Sequence, residues 1–360
     1  VLLTGPARQL SDHPAPPEPE AAAIRSAPPD RTDYPSSSSP KVDPMNDAIF
    51  NDAMSEIMEI RAQYISERSV FIDGARMVRL LKALGAKDTD LEKIKLVSND
   101  LPKDPTLPFR ESKNGRFCFD SDASRAYRLE FQPFALSAEE DFVRHDSGKT
   151  RVFEEIGDDL QLNSALQALL VFKSLIFRGV RTAHRPKLDY DNPAWICTLF
   201  NLRTISTPEL QGEPALEGVH SDGVDHTMTT FLGSENMTAD SAVTFLHDMR
   251  EKNATRWNET DPELLLGQCR HRHFLDTLIV VDHERKHSLS PVSAVDERRP
   301  ATRDMLIFFT RKPVLPGHIS HPYDSLEPHE RLPMAIGLPA PAEERVLVGA
   351  GAPAVGGMAQ

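Results

Sequence analysis

The sequence predicts an α+β fold in which helices come first and a small antiparallel barrel or jelly roll follows. Three observations carry that prediction. Apolar residues recur at helical spacing in three segments ahead of residue 180. After about residue 194 the texture changes to short β-rich runs separated by polar and Gly/Pro segments. Helices followed by antiparallel strands, rather than alternating with them, mark an α+β arrangement.

Each element follows in order. Residues 1–44 are rich in Pro, Ser, Ala and acidic side chains and hold few apolar anchors, so the expectation is a disordered N-terminus. "DAIFNDAMSEIMEIRAQYISE" places Ile49, Met54, Ile57, Met58, Ile60 and Tyr64 on a helical period. "GARMVRLLKALGA" is a second helix ended by Gly85, and "NSALQALLVFKSLIFRGV" a third, capped by Asn163. The strands are "WICTLFNLRTI", "HTMTTFLG", "SAVTFLHD", "HFLDTLIVVD" and "RDMLIFFTRK". The reading is one domain over 45–340, with its β core at about 194–312, and a flexible tail over 341–360.

Composition excludes several functions. The 360 residues are 39% hydrophobic, enough for a sizeable core, and the formal net charge of −13 argues against general affinity for nucleic acid or an anionic membrane. The three cysteines, Cys118, Cys197 and Cys269, are scattered and odd in number, which is no disulfide framework and fits a reducing compartment. No apolar run approaches the roughly 20 residues of a membrane span, and "VLLTGPARQL" lacks the features of a signal peptide. A cytoplasmic location and a small-molecule substrate are the expectation; the sequence says nothing of oligomeric state.

The stretch "EGVHSDGVDHTMTTFLG" concentrates possible metal ligands. His220 and Asp222 lie two apart, and in an extended segment such residues share a face. A distant second histidine would complete a two-His, one-carboxylate set that leaves coordination positions open for non-haem iron chemistry. His287 lies downstream in "LDTLIVVDHERKHSLSPV", with His283 the alternative third ligand, and Arg303 opens the strand that follows. An arginine there suits a dicarboxylate cosubstrate, because its planar fork binds a carboxylate through two hydrogen bonds. His226 and Asp225 are expected to pack or to hydrogen-bond a ligand, and "HRH" at 271–273 to be a surface feature.

These segments resemble the 2-oxoglutarate/Fe(II) dioxygenases typified by bacterial L-isoleucine 4-hydroxylase. The parts that carry the resemblance are "LEGVHSDG", "SENMTADSAVTF", "DHERKHSLSPV" and "RDMLIF", with "LFNLRTI" and "SNDLPKDPTLPFR" upstream, together spanning about residues 70–312. The resemblance implies a double-stranded β-helix of the jelly-roll or cupin-like kind, Fe(II), 2-oxoglutarate and O2 as cofactor and cosubstrates, and a free amino acid as substrate. It also implies that His220, Asp222 and His287 are the iron ligands and that Arg303 binds the distal carboxylate of 2-oxoglutarate. The chain departs from the pattern where "TAD" replaces a Gly-Gly in the loop, which bears on the substrate mouth.

Strand alternation adds the pocket. If Arg303 faces inward, so do Met305, Ile307 and Phe309, giving an apolar wall suited to an aliphatic side chain. Ile307 and Phe309 are therefore candidate substrate contacts. Arg203, on the strand before the metal motif, either clamps a substrate carboxylate or forms a structural salt bridge. The metal motif is also similar to that of a fungal oxygenase of secondary metabolism that closes the nitrogen of L-valine onto its β-carbon to make an aziridine, and this resemblance supplies the sharpest substrate expectation. The alternatives are an L-isoleucine/L-leucine-type hydroxylase, a zinc metallohydrolase built on "HSDGVDH", and an inactive β-helix binding module.

Overall fold

The structure is a computed structural model that describes residues 44–339 apart from 140–142 and 145. The expected disordered stretch before residue 44 and the expected tail over 341–360 lie outside the described residues. Along the chain, α1 (Pro44–Glu67), β1 (Ser69–Ile72), α2 (Gly74–Ala83) and α3 (Asp88–Ile94) come first. β2 (Arg110–Asp120), β3 (Arg125–Leu129), β4 (Phe134–Ala135), β5 (Thr150–Arg151) and β6 (Glu154–Glu155) follow, then α4 (Asp158–Gln161) and α5 (Ser164–Phe177). The remainder is strand: β7 (Ala194–Ser206), β8 (His226–Glu235), β9 (Thr244–His247), β10 (Leu265–Cys269), β11 (Thr277–Val281), β12 (Lys286–Leu289), β13 (Ala301–Arg311) and β14 (Ala335–Gly337).

The main sheet runs β1-β11-β8-β13-β7-β2-β3-β14, with β6 beside β2, and a smaller sheet runs β10-β9-β12. Its ladders are antiparallel except for the β2–β6 pair. This is the double-stranded β-helix: two sheets whose inner faces enclose a cavity.

The β core does not begin at 194, as the sequence reading had it. All eleven residues of β2 pair with β7, and β3 extends the sheet further. The first half of β2, "RESKNG", is polar and gives no apolar alternation, so only the ladder with β7 makes it a strand.

The three anticipated helices are present. Asn163 caps α5 by accepting from Ala165 N–H, and Gly85, at φ +104°, follows the last turn of α2. Ile57, Ile60 and Tyr64 of α1 join Phe172 and Phe177 of α5 in one core with Met228, Leu306 and Phe308 of the main sheet. Ile49 departs from the expected apolar stripe and is 54% exposed. Lys173 ties α5 to the sheet: its Nζ lies 3.4 Å from the His226 carbonyl and 3.3 Å from that of Phe308, and burial pulls its pKa down to about 8.

Because β8 and β13 have their even positions against the helices, their odd positions face the other way, into the cavity. The helices therefore fix which side chains are available for chemistry.

The junction between β1 and α2 is tight. Gly74 N–H donates to Asp276 Oδ1 at 2.7 Å, and a Cβ on Gly74 would lie 1.9 Å from the Phe274 carbonyl oxygen. Gly74→Ala is expected to cost at least about 1–3 kcal/mol, the usual penalty of overpacking. A lowered urea midpoint at unchanged slope checks it; an unmoved midpoint would show that α2 can shift away at no cost.

Candidate metal centre and cavity

His220 and His287 are far apart in sequence and directly opposite in space. His220 N–H donates to His287 O at 3.0 Å, and His287 N–H returns the bond to His220 O at 2.9 Å. Two residues that exchange both backbone bonds form a closed antiparallel pair whose side chains leave on the same face. The two rings accordingly lie 4.5 Å apart. The bridge adds the His220 segment to the β12 edge of the smaller sheet.

Asp222 completes the group. Its Oδ1 is 3.3 Å from His220 Nε2 and its Oδ2 is 3.5 Å from His287 Nε2. One ligand atom from each of His220, Asp222 and His287 lies within 4.8 Å of the others. His283 is half-buried and is not among these converging donors.

Neighbouring groups aim each ligand. Gly218 sits at φ +74°, a conformation that favours glycine, and a Cβ there would meet the Thr255 carbonyl at 2.5 Å. That backbone points the Gly218 carbonyl at His220 Nδ1, 2.8 Å away. Accepting the Nδ1 proton fixes the tautomer that leaves Nε2 as a lone-pair donor. Asp222 N–H donates to Asp282 Oδ2 at 2.6 Å, and Asp282 Oδ1 lies 3.7 Å from His287 Nδ1. Thr227 Oγ1 donates to Asp222 Oδ2 at 3.1 Å.

The charges fit a cation. Burial disfavours charge on both imidazoles, but the hydrogen bond and charge of Asp222 push His220 up to about 9, while burial takes His287 down to about 4. Burial would raise the Asp222 carboxyl too, yet the His287 charge and the His220 and Thr227 bonds hold it well below the usual carboxylate range. Two imidazoles and one carboxylate, all reaching a common point from one side, suit a first-row divalent metal with open positions on the other side.

A cavity of about 210 Å³ adjoins the three donors. Arg303, Met305, Ile307 and Phe309 of β13 all line it, as the two-residue period requires. Arg303 is 3% exposed, its Nε has no hydrogen-bond partner, and no carboxylate pairs with it among the described residues. Burial pulls its pKa down to about 10, so it stays a cation at neutral pH. The other arginines of the lining are engaged: Arg110 with Asp104 at 2.8 Å, Arg144 and Arg151 with Asp146 at 2.9 and 2.8 Å, and Arg311 with Asp324 at 2.8 Å. Ile307 and Phe309 pack with Phe134, Phe153, Phe200 and Leu202 in an apolar cluster.

Two expectations need correction. Arg203 does not line the cavity. It sits directly across from Asp304 on the outward-facing side and binds it through two hydrogen bonds of 2.7 and 2.8 Å, so the salt-bridge alternative describes it. The histidines of "HRH" part company: His273 is exposed, but His271 is buried beside Thr229, with its pKa pushed down to about 3 by burial and then by Arg303. His226 takes the first of its two expected roles, packing. It points away from the cavity, its Nδ1 2.8 Å from the Tyr64 hydroxyl, and packs with Phe177 and Trp195. Asp225 is likewise buried and accepts from the Tyr190 hydroxyl at 2.6 Å.

Sequence reasoning assigned no role to Asp282, Thr227 or Gly218. Asp282 carries a usable signal, since it opens the Asp-x-x-x-x-His spacing that ends at His287.

Comparison with known proteins adds the following. Residues 95–309 match the family of 2OG-Fe dioxygenases. The bifunctional enzyme flvA of Aspergillus flavus is 47% identical over 292 residues, which are 81% of this chain and 36% of that protein; the chain thus spans little more than a third of its relative's length. The solved structure of TqaL, an Fe(II)/α-ketoglutarate-dependent dioxygenase, is 53% identical, covers 80% of this chain and 97% of its own, and superposes with a TM-score of 0.70. A bsmA homologue from Methylobium petroleophilum, 18% identical, shares the fold at a TM-score of 0.57 over 72% of this chain and 94% of its own.

Asp282→Asn tests the support behind the donors. Removing the carboxylate behind Asp222 and His287 is expected to weaken Fe(II) binding roughly 10–100-fold, the usual cost of losing an outer partner. Equilibrium dialysis against a competing chelator reads it, with thermal unfolding as the control. Unchanged iron retention would show that Thr227 and Gly218 suffice to aim the donors.

Proposed function

The chain belongs to the 2OG-Fe dioxygenase family, and on that premise we propose that it oxidises an unactivated C–H bond of a free aliphatic L-amino acid, with L-valine as substrate and closure of its nitrogen onto the β-carbon, giving an aziridine, as the outcome. Members of this family use Fe(II), 2-oxoglutarate and O2. Once bound, iron with these cosubstrates supplies an oxidant able to take a hydrogen atom from an aliphatic carbon.

The observation that carries the reading is the cavity itself: three converging donors, one unpaired guanidinium and an aromatic-aliphatic wall. His220, Asp222 and His287 would hold the metal through Nε2, a carboxylate oxygen and Nε2. Arg303 would take the distal carboxylate of 2-oxoglutarate through two parallel bonds, leaving the keto-acid end directed at the donors. Phe200, Ile307 and Phe309 would hold the substrate side chain by contact and keep water from the reacting carbon. The likeness to TqaL, an Fe(II)/α-ketoglutarate-dependent dioxygenase, and to flvA of Aspergillus flavus supports the cofactor half of this reading. The second reading, hydroxylation of L-isoleucine or L-leucine, shares every residue role and differs in which atom captures the carbon radical.

Adding Fe(II) and 2-oxoglutarate without oxygen is expected to give the weak visible charge-transfer band of the chelate. With oxygen, succinate release is expected to depend on an aliphatic L-amino acid. Release that no free amino acid stimulates would sink the substrate reading while leaving the cofactor reading intact.

Arg303→Ala is expected to raise the 2-oxoglutarate requirement by tens-fold or more with iron still bound, since a buried charge-assisted pair contributes on the order of 2–5 kcal/mol. An unchanged requirement would move the role to another base. Arg311, which also lines the cavity, is the first candidate.

Ile307→Ala and Phe309→Ala are expected to change the ratio of cyclised to hydroxylated product, or the choice between L-valine and L-isoleucine, more than they change iron binding. A side chain held by contact alone drifts when its wall shrinks, and about 1 Å matters to the capture step. Mass spectrometry of the products reads the ratio; a wild-type ratio and preference in both variants would make these residues ordinary core.

A further inference from the structure

We propose that Arg144 and Glu217 together hold the charged head group of a zwitterionic α-amino acid, and that the bound substrate replaces the ion pair these two side chains make with each other. The proposal rests on the amino-acid reading above and names the groups that would enforce it.

Arg144 Nη1 lies 3.3 Å from Glu217 Oε1, and the two side chains are only 6% and 8% exposed. Both border the cavity beside the metal donors, and both also border a second cleft of about 330 Å³ on the side of Trp257 and Arg256. The ion pair therefore stands in the wall between an outer cleft and the reaction cavity. Glu217 is the acidic residue of the inner lining besides Asp222. It lines the same cavity as His220, Asp222 and His287.

The two partners are unequally held. Asp146 accepts from Arg144 Nε at 2.9 Å and from Nη2 at 3.4 Å, and from Arg151 Nη2 at 2.8 Å, so one edge of the Arg144 guanidinium is fixed and Nη1 is left for Glu217. Glu217 has Arg144 as its one ion-pair partner among the described residues. Arg144 and Arg151 balance Asp146 and Glu217, so the cluster is neutral as it stands.

A buried neutral cluster accepts a ligand at least cost when that ligand leaves no charge unpaired. An α-amino acid does this: its ammonium takes the place of Arg144 at Glu217, and its carboxylate takes the place of Glu217 at Arg144. An amine without the carboxylate would leave the buried cluster with one positive charge in excess, and a carboxylate without the amine with one negative charge in excess. The aliphatic remainder of the substrate would then meet the Phe200, Ile307 and Phe309 wall of the same cavity.

The test uses the full chain loaded anaerobically with Fe(II) and 2-oxoglutarate, titrated calorimetrically with L-valine, L-isoleucine, isobutylamine and 3-methylbutanoate. Wild type is expected to bind an amino acid at least about tenfold more tightly than either analogue lacking one charge, since a buried charge left unpaired carries a penalty of that order or more. Glu217→Gln should weaken amino-acid binding tens-fold and narrow or reverse the gap to 3-methylbutanoate. Arg144→Gln should do the same for isobutylamine, and the 2-oxoglutarate band should persist in both variants. That crossed pattern is one that general destabilisation does not produce. Amino acids and analogues binding alike in wild type would overturn the proposal whatever the variants do, as would an unaltered ranking in both variants. No binding of either amino acid in wild type would overturn the amino-acid reading and this proposal with it, whereas amino-acid binding with an unaltered ranking overturns this proposal alone.

Discussion

The reciprocal backbone bond between His220 and His287 is the constraint on which the site depends. It closes the smaller sheet with 3.0 and 2.9 Å hydrogen bonds and puts both imidazoles on one face. A side-chain contact between distant segments can drift through rotamers; a doubled backbone bond cannot do so without opening the sheet. Once it is made, Asp222 needs only two further residues of chain to come between the rings. Gly218 then fixes one ring from behind through its carbonyl, and the Asp282 carboxylate accepts from the backbone N–H of Asp222.

The second constraint is the division of each strand between two environments. Leu306 and Phe308 of β13 pack under α1 and α5, so Arg303, Met305, Ile307 and Phe309 must face the cavity. The same rule on β8 sends His226 and Met228 to the helices and Thr227 and Thr229 to the cavity. Helix packing thus decides the chemistry indirectly: it sets the register, and a one-residue slip would exchange every inward side chain for its neighbour. His226 shows how strict this is. It lies four residues beyond Asp222 and yet is bonded to Tyr64 on the opposite side of the sheet.

Charge in the cavity is managed by pairing. The wall arginines Arg110, Arg151 and Arg311 each have an acidic partner, and the Arg144–Glu217 pair is buried between two clefts. Arg303 stands apart because no carboxylate among the described residues pairs with it. A buried guanidinium without an acceptor is costly unless a ligand completes it, and the apolar wall beside it makes a carboxylate-bearing molecule the natural complement. The fold therefore tolerates at this position a local cost that only function explains.

Much of the site was legible in the sequence because its residues fall in short stretches with strong local signals. His220-x-Asp222 share a face in any extended segment, and the β13 alternation from Arg303 to Phe309 needs nothing but period two. The helices of α1, α2 and α5 were legible for the same reason. What the sequence left open was settled by pairings between segments far apart in the chain. β2 is a strand because β7 lies along its whole length, not because of its polar first half. Arg203 is a structural base because Asp304 lies directly across the ladder, which no single strand reveals. His271 is buried because Phe71 of β1 and Thr229 of β8 pack against it. That His287 rather than His283 converges with His220 and Asp222, and that Asp282 and Gly218 lie behind them, rests on which backbone atoms face one another. Local periodicity fixes the face of each residue; only the closed tertiary structure fixes what that face meets.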